Sequence, residues 1–226
     1  MFMKKLIAHS LASGLLLLGL AVPALATDGV IEINQAKIDA LGQGSYTITD
    51  PGSYRLTSNI TFSGASGKAI QVATDGVKID LNGFAILGTL GPSCSTLTTG
   101  IFSLNAVTVT NGTVGGFGLG IKLGHNSKVD KVFSYGNCGD GIDVGSGTVS
   151  NSTVSGNKGY GISITAGGLA TGNYIEKNQS QGINIPGGAY SNNMLYENNS
   201  SGSQVTNGIS MGDNVCNANG ANGDNC

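Results

Sequence analysis

The chain has 226 residues, 13 acidic against 11 basic, for a formal net charge of −2, with 38 glycines and 11% charged residues. So weak and slightly acidic a charge excludes the basic face that nucleic acid requires, and nucleic acid is not expected as a partner. Valine, isoleucine and threonine accompany the glycine and asparagine, which excludes a disordered linker and predicts short strands joined by frequent turns.

Residues 1–26 are predicted to be a cleaved secretory signal. Lys4 and Lys5 lie near the start, an apolar core centres on Leu15 to Leu20, and Ala24-Leu25-Ala26 precedes Thr27. The apolar run is shorter than the roughly 20 residues of a membrane span, so no stable membrane insertion is expected after cleavage behind Ala26. The remaining residues 27–226 suffice for one domain in the periplasm or outside the cell. Its first part, 27–50, is expected to be an N-terminal cap, with Ile33, Ala36, Ile38 and Leu41 placing a short helix or strand over the rest of the domain.

From residue 100 onward the sequence repeats. Gly100-Ile101, Gly120-Ile121, Gly141-Ile142, Gly161-Ile162, Gly182-Ile183 and Gly208-Ile209 succeed one another at spacings of 20, 21, 20, 21 and 26, the last step carrying an insertion near Asn199 to Gln204. Asn137, Asn157, Asn178, Asn198 and Asn219 keep the same step. Within a unit, Ile142 and Val144, or Ile162 and Ile164, alternate with outward residues such as Asp143 and Ser163, the period of a strand. A further β segment supplies Val149 and Val154, with Ile175 and Leu195 as later equivalents. A unit of about 20 residues cannot bury its apolar surface alone, so units must stack. The LxxLxL spacing of leucine-rich repeats is missing. The prediction is an all-β, single-stranded right-handed parallel β-helix with the asparagines in columns at the turns, where their side chains serve the backbone.

In these features the chain resembles bacterial secreted proteins of the pectin-lyase-like right-handed β-helix superfamily. The resemblance extends to Ile31-Glu32-Ile33-Asn34-Gln35, Pro51 to Leu56, Asn59-Ile60-Thr61, Val77 to Phe84 and Asn111-Gly112-Thr113-Val114. It implies the fold. The superfamily holds lyases, hydrolases, epimerases and members without activity, so it implies no one function. Residues 212–226 are expected to cap the C-terminal end, since an open end strand invites association. The even set Cys94, Cys138, Cys216 and Cys226 favours disulfides in an exported chain. Of three possible pairings, the favoured one joins Cys216 to Cys226 as a clasp and Cys94 to Cys138, pinning the loop from Gly88 to Thr98. With no CxxC and His125 as the one histidine after the signal, no metal is expected, and no other cofactor.

The resemblance directs attention to an outer sheet face. There the residues after the Gly-Ile pairs form an outward row, Phe102, Lys122, Asp143, Ser163, Asn184 and Ser210, and those before the pairs a second, Asp140, Tyr160, Gln181 and Asn207. Lys122, His125, Asp140 and Asp143 are the candidate catalytic cluster; Phe102, Tyr160, Gln181 and Asn184 offer ring faces and hydrogen bonds to a sugar chain. A solvated Lys–Asp pair across adjacent strands explains part of the cluster without any ligand. The favoured function is a non-catalytic secreted module binding polysaccharide or a surface. A polysaccharide-processing enzyme, lyase-like or hydrolase-like, is the first alternative, although the paired carboxylates and motifs of such enzymes are not evident. A structural envelope or matrix protein, in which self-stacking is the function, is the second.

Overall fold

The structure, a computed structural model, describes residues 29–42, 44–89, 94, 97–200 and 202–217. The export signal with its cleavage point, most of the Gly88 to Thr98 loop, Asn219 and Cys226 lie outside them. Each coil runs over three faces, exemplified in the middle of the chain by a first-face strand Gly147–Ser150, a second-face strand Thr153–Ser155 and a third-face strand Ile162–Ile164. All the pairings between coils are parallel, so like positions stack in columns: Val129, Val149 and Ala170 on the first face, Val154, Ile175 and Leu195 on the second, Ile121, Ile142, Ile162 and Ile183 on the third. Those columns point inward and form one continuous buried core. A column of branched aliphatics suits this pleated interior because each side chain packs on its equivalents above and below.

The alternation that predicts strands is thus real, and two details differ from the sequence reading. Val149 and Val154 do not share a segment. They stand on different faces across a corner at Asn151, whose φ is +49°. The same corner is held by Asn111, Lys131, Gly172 and Asn192, all at positive φ. Asparagine and glycine tolerate that left-handed geometry best, which is why they recur at the corners.

The second difference is at the end of the repeat. Ile183 pairs with Val205 and Asn184 with Thr206, so the third-face column continues at Val205 and the insertion is about two residues rather than half a dozen. Ile209 instead pairs with Ala189 on the first face, 67% exposed, and Ser210 pairs with Tyr190. Position 204, equivalent to Gly182, is a glutamine with a physical role. Two asparagine ladders run up the inside of the corners. In the first, the Asn137 side chain donates to Asn157 Oδ1 at 2.8 Å, Asn157 to Asn178 Oδ1 at 2.8 Å and Asn178 to Asn198 Oδ1 at 2.7 Å. Each Oδ1 also accepts the backbone N–H of the asparagine before it. Asn198 then donates to Gln204 Oε1 at 2.7 Å, six residues on across the same corner, which closes the ladder. The second ladder, Asn173 to Asn193 to Asn214, was not foreseen.

Ahead of the regular coils, Val30–Ile33 pairs with Gly52–Leu56, and a helix over Gln35–Ala40 comes next, capped by Asn34 Oδ1 accepting from Lys37 N at 2.9 Å. Ile33 and Ile38 are fully buried in the common core. Ile70 pairs with Ile101, 31 residues on, so this coil carries the longest insertion. Cys94 in that insertion is bonded to Cys138 at the corner of a later coil, Cα to Cα 5.5 Å. Cys216 is also disulfide-bonded; its expected partner, Cys226, lies outside the described residues.

Candidate functional site

The third face carries the two outward rows with two exceptions: Ser210 lies on the first face, and Asn207 follows Thr206 instead of continuing the row of Asp140, Tyr160 and Gln181. Its outward column runs Gln71, Phe102, Lys122, Asp143, Ser163, Asn184, Thr206, one residue per coil, and Thr206 takes the place expected for Ser210. Lys122 Nζ lies 2.6 Å from Asp143 Oδ2, on adjacent coils. At the head of the column Lys68 Nζ sits 4.8 Å over the Phe102 ring, a cation–π contact. Asn184 Oδ1 accepts from Asn207 Nδ2 at 3.3 Å. A shallow depression of about 210 Å³ is lined by Lys122, His125 and Asp143 together with Leu104, Gly145 and Thr165. His125 is exposed, its Nδ1 3.2 Å from Ser146 Oγ.

Asp140 does not line that depression. It stands beside Tyr160 in the neighbouring column, where its Oδ1 accepts the Tyr160 backbone N–H at 2.7 Å. Burial pushes the Asp140 carboxyl above the usual carboxylate range against the pull of that hydrogen bond, and the Asp143 charge adds to the rise. A raised carboxyl binds its proton more tightly in the folded than in the unfolded chain, so the stability linked to it is present at low pH and is lost as pH rises through the carboxyl range. Asp140→Asn keeps an acceptor for the Tyr160 amide. Its thermal midpoint is expected to match the parent's at about pH 3 and to exceed it at about pH 7, as followed by circular dichroism. A midpoint below the parent's at the higher pH would refute this.

The chemistry open to this face is set by these engagements. Asp143 and Lys122 neutralise one another as a half-buried pair, Lys122 being the more exposed partner. Asp140 is committed to a backbone amide. Among the described residues no group of three or more His, Cys, Asp or Glu side chains could hold a metal ion. What the face offers is hydrogen-bonding groups in coil register, with one Lys–Asp pair and the rings of Phe102 and Tyr160.

A second outward surface was missed from the sequence. On the second face, one column reads Thr113, Phe133, Thr153, Tyr174, Met194, Val215, and the next Gly115, Tyr135, Ser155, Glu176, Tyr196, Asn217. The Phe133 and Tyr135 rings stack, centroids 4.9 Å apart. Tyr174 donates its hydroxyl to Glu176 Oε2 at 3.0 Å, and Ser155 donates to Glu176 Oε1 at 3.4 Å. The hydrogen bond to Glu176 raises the Tyr174 phenol, with a smaller push from burial. The signal for this surface is plain in retrospect: Phe133-Ser134-Tyr135, Tyr174-Ile175-Glu176 and Met194-Leu195-Tyr196 alternate about a buried centre.

Comparison with known proteins matches residues 48–200 to the family described as right handed beta helix region. No curated protein matches the chain. Among solved structures, the crystal structure of Dettilon tailspike protein (gp208) is similar at 13% identity and a TM-score of 0.38, over 82% of this chain and 59% of that one. The chain thus spans less than two thirds of that protein's length.

Proposed function

We propose, for a chain that belongs to the right-handed β-helix family, that it is an exported module binding polysaccharide along an outer sheet face without turning it over. One observation carries this reading: the third-face column from Phe102 to Asn184 keeps one residue per coil in unbroken register, with Phe102, Lys122, Asp143 and Asn184 partly exposed and Ser163 buried among them. Coils lie about 4.8 Å apart, the same order as the length of one sugar along its polymer. Hydrogen-bonding groups therefore recur at the period of the ligand. Phe102 and Tyr160 add ring surface, and Lys122, Asp143, Gln181 and Asn184 add donors and acceptors. Export by residues 1–26 belongs to the same reading.

The test is binding and turnover of the full, oxidised protein on a panel of acidic and neutral polysaccharides. Saturable binding without new reducing ends or unsaturated products is expected, weakened about threefold to tenfold for at least one polymer by Tyr160→Ala combined with Lys122→Ala. Products would instead establish a lyase, hydrolase or epimerase. One observation favours that second reading: Asp140, the carboxyl raised by burial, lies close enough to Lys122 and Asp143 to feel both charges.

A further inference from the structure

The second face holds five of the eleven exposed large hydrophobic side chains among the described residues: Phe133, Tyr135, Tyr174, Met194 and Val215. Such a concentration on one sheet surface calls for an occupant. The register fixes its shape. Tyr174 lies two coils beyond Phe133 and Tyr196 three beyond Tyr135, roughly 10 Å and 14 Å along the axis. Thr153 and Ser155 lie between them, so the surface is a shallow track of ring, gap and ring along the stack.

The chemistry of the track selects among occupants. Glu176 is the one charged residue of the two columns, with Lys177 beside it at the turn, 3.8 Å away. The Tyr174 and Ser155 hydroxyls use two of the roughly four acceptor sites of its carboxylate. A hydrogen-bonded carboxylate in the track disfavours an acidic polymer. An apolar protein surface would have to take that carboxylate and the Lys177 ammonium beside it out of water, at a cost their attraction does not reliably offset. A second copy docked by two-fold symmetry would bring the same patch, and a second carboxylate, against it. A neutral sugar chain meets both features: its C–H faces rest on the negative faces of the rings, and its hydroxyls donate to the carboxylate.

We propose that the second face is a platform for a neutral polysaccharide lying along the coil axis on Phe133, Tyr135, Tyr174, Met194 and Tyr196, with Glu176 as its hydrogen-bond acceptor. This rests on the polysaccharide-binding reading and assigns it a second surface, independent of Lys122 and Asp143. The test is calorimetric titration of the full oxidised protein with hydroxyethylcellulose and galactomannan, and with polygalacturonate as the acidic comparison. Phe133→Ala and Tyr174→Ala are each expected to weaken binding of the neutral polymers about tenfold, and Glu176→Gln by less, while Lys128→Ala, at an exposed first-face position, leaves it unchanged. Neutral-polymer binding equal to the parent's in the ring variants overturns the platform. If Lys122→Ala abolishes it at the same time, the broader reading survives. Binding of polygalacturonate alone also overturns the platform, and no binding to any polymer overturns both readings. A concentration-dependent dimer that Phe133→Ala dissolves would give the face to a second copy and overturn the proposal.

Discussion

Asn157→Ala is expected to lower the unfolding free energy by about 3–5 kcal/mol. The wild-type carboxamide is fully buried and fully engaged. Its Oδ1 accepts from the backbone N–H and the side chain of Asn137, and its Nδ2 donates to Asn178 Oδ1 at 2.8 Å and to the Ser134 carbonyl at 3.4 Å. Truncation strands the Asn137 backbone N–H and takes a partner from Asn137 Nδ2, the Ser134 carbonyl and Asn178 Oδ1, and each orphaned buried group costs about 1–3 kcal/mol. Asn157→Asp should do no better near neutral pH, because the carboxylate restores the acceptors, loses the donors and buries a charge. Equilibrium urea denaturation measures the loss, and amide exchange at Asn137 localises it. A variant as stable as the parent would mean that the ladder is replaceable by packing.

The second large effect concerns the glycine row. Gly161→Ala should cost about 2–4 kcal/mol through overpacking. An added Cβ would sit 2.6 Å from Ile175 Cγ2, 2.7 Å from the Gly182 carbonyl and 2.8 Å from Asn178 Nδ2. None of these is the free end of a flexible side chain. Gly136→Ala is the control: there φ is +62° and nothing lies within 4 Å, so only the strain of a left-handed backbone remains, on the order of 1 kcal/mol. Equal losses in the two variants would remove steric crowding as the reason for the row. The contrast also explains why glycine and asparagine recur together in the sequence. Gly141, Gly161 and Gly182 each leave room for the carboxamide of Asn157, Asn178 or Asn198. Where the ladder closes, the position can become Gln204.

That coupling also marks what could be read from the sequence. The third-face columns were legible because Ile101, Ile121, Ile142, Ile162 and Ile183 keep both their chemical type and their step, and both are dictated by stacking. Gly208-Ile209 repeats the pair of residue types without the same need: among the described residues the nearest atoms that a Cβ at Gly208 would meet belong to Ile185 and Tyr190 and not to an asparagine carboxamide. The ladder of Asn173, Asn193 and Asn214 has no glycine companion row to announce it. Outward residues are free of the core's constraint, so Lys122 against Asp143 could be placed by register, whereas the aromatic track emerges only once the strand Ser127–Tyr135 and three three-residue strands are laid side by side. The reach of Asp140 to the Tyr160 amide depends on a corner conformation that periodicity does not specify.

The two ladders have a direction. In both, each carboxamide donates toward the C-terminal side of the stack and accepts from the N-terminal side. The amide dipoles therefore align instead of cancelling, and their positive ends point toward the last coils, as peptide dipoles add along a helix. After Lys177 the sequence contains Glu197, Asp213 and Asp224 and neither lysine nor arginine. The solenoid is thus electrically polar along its length, its last described acidic side chains, Glu197 and Asp213, standing with no later lysine or arginine in the sequence to balance them, toward the end at which its internal amides present their hydrogens.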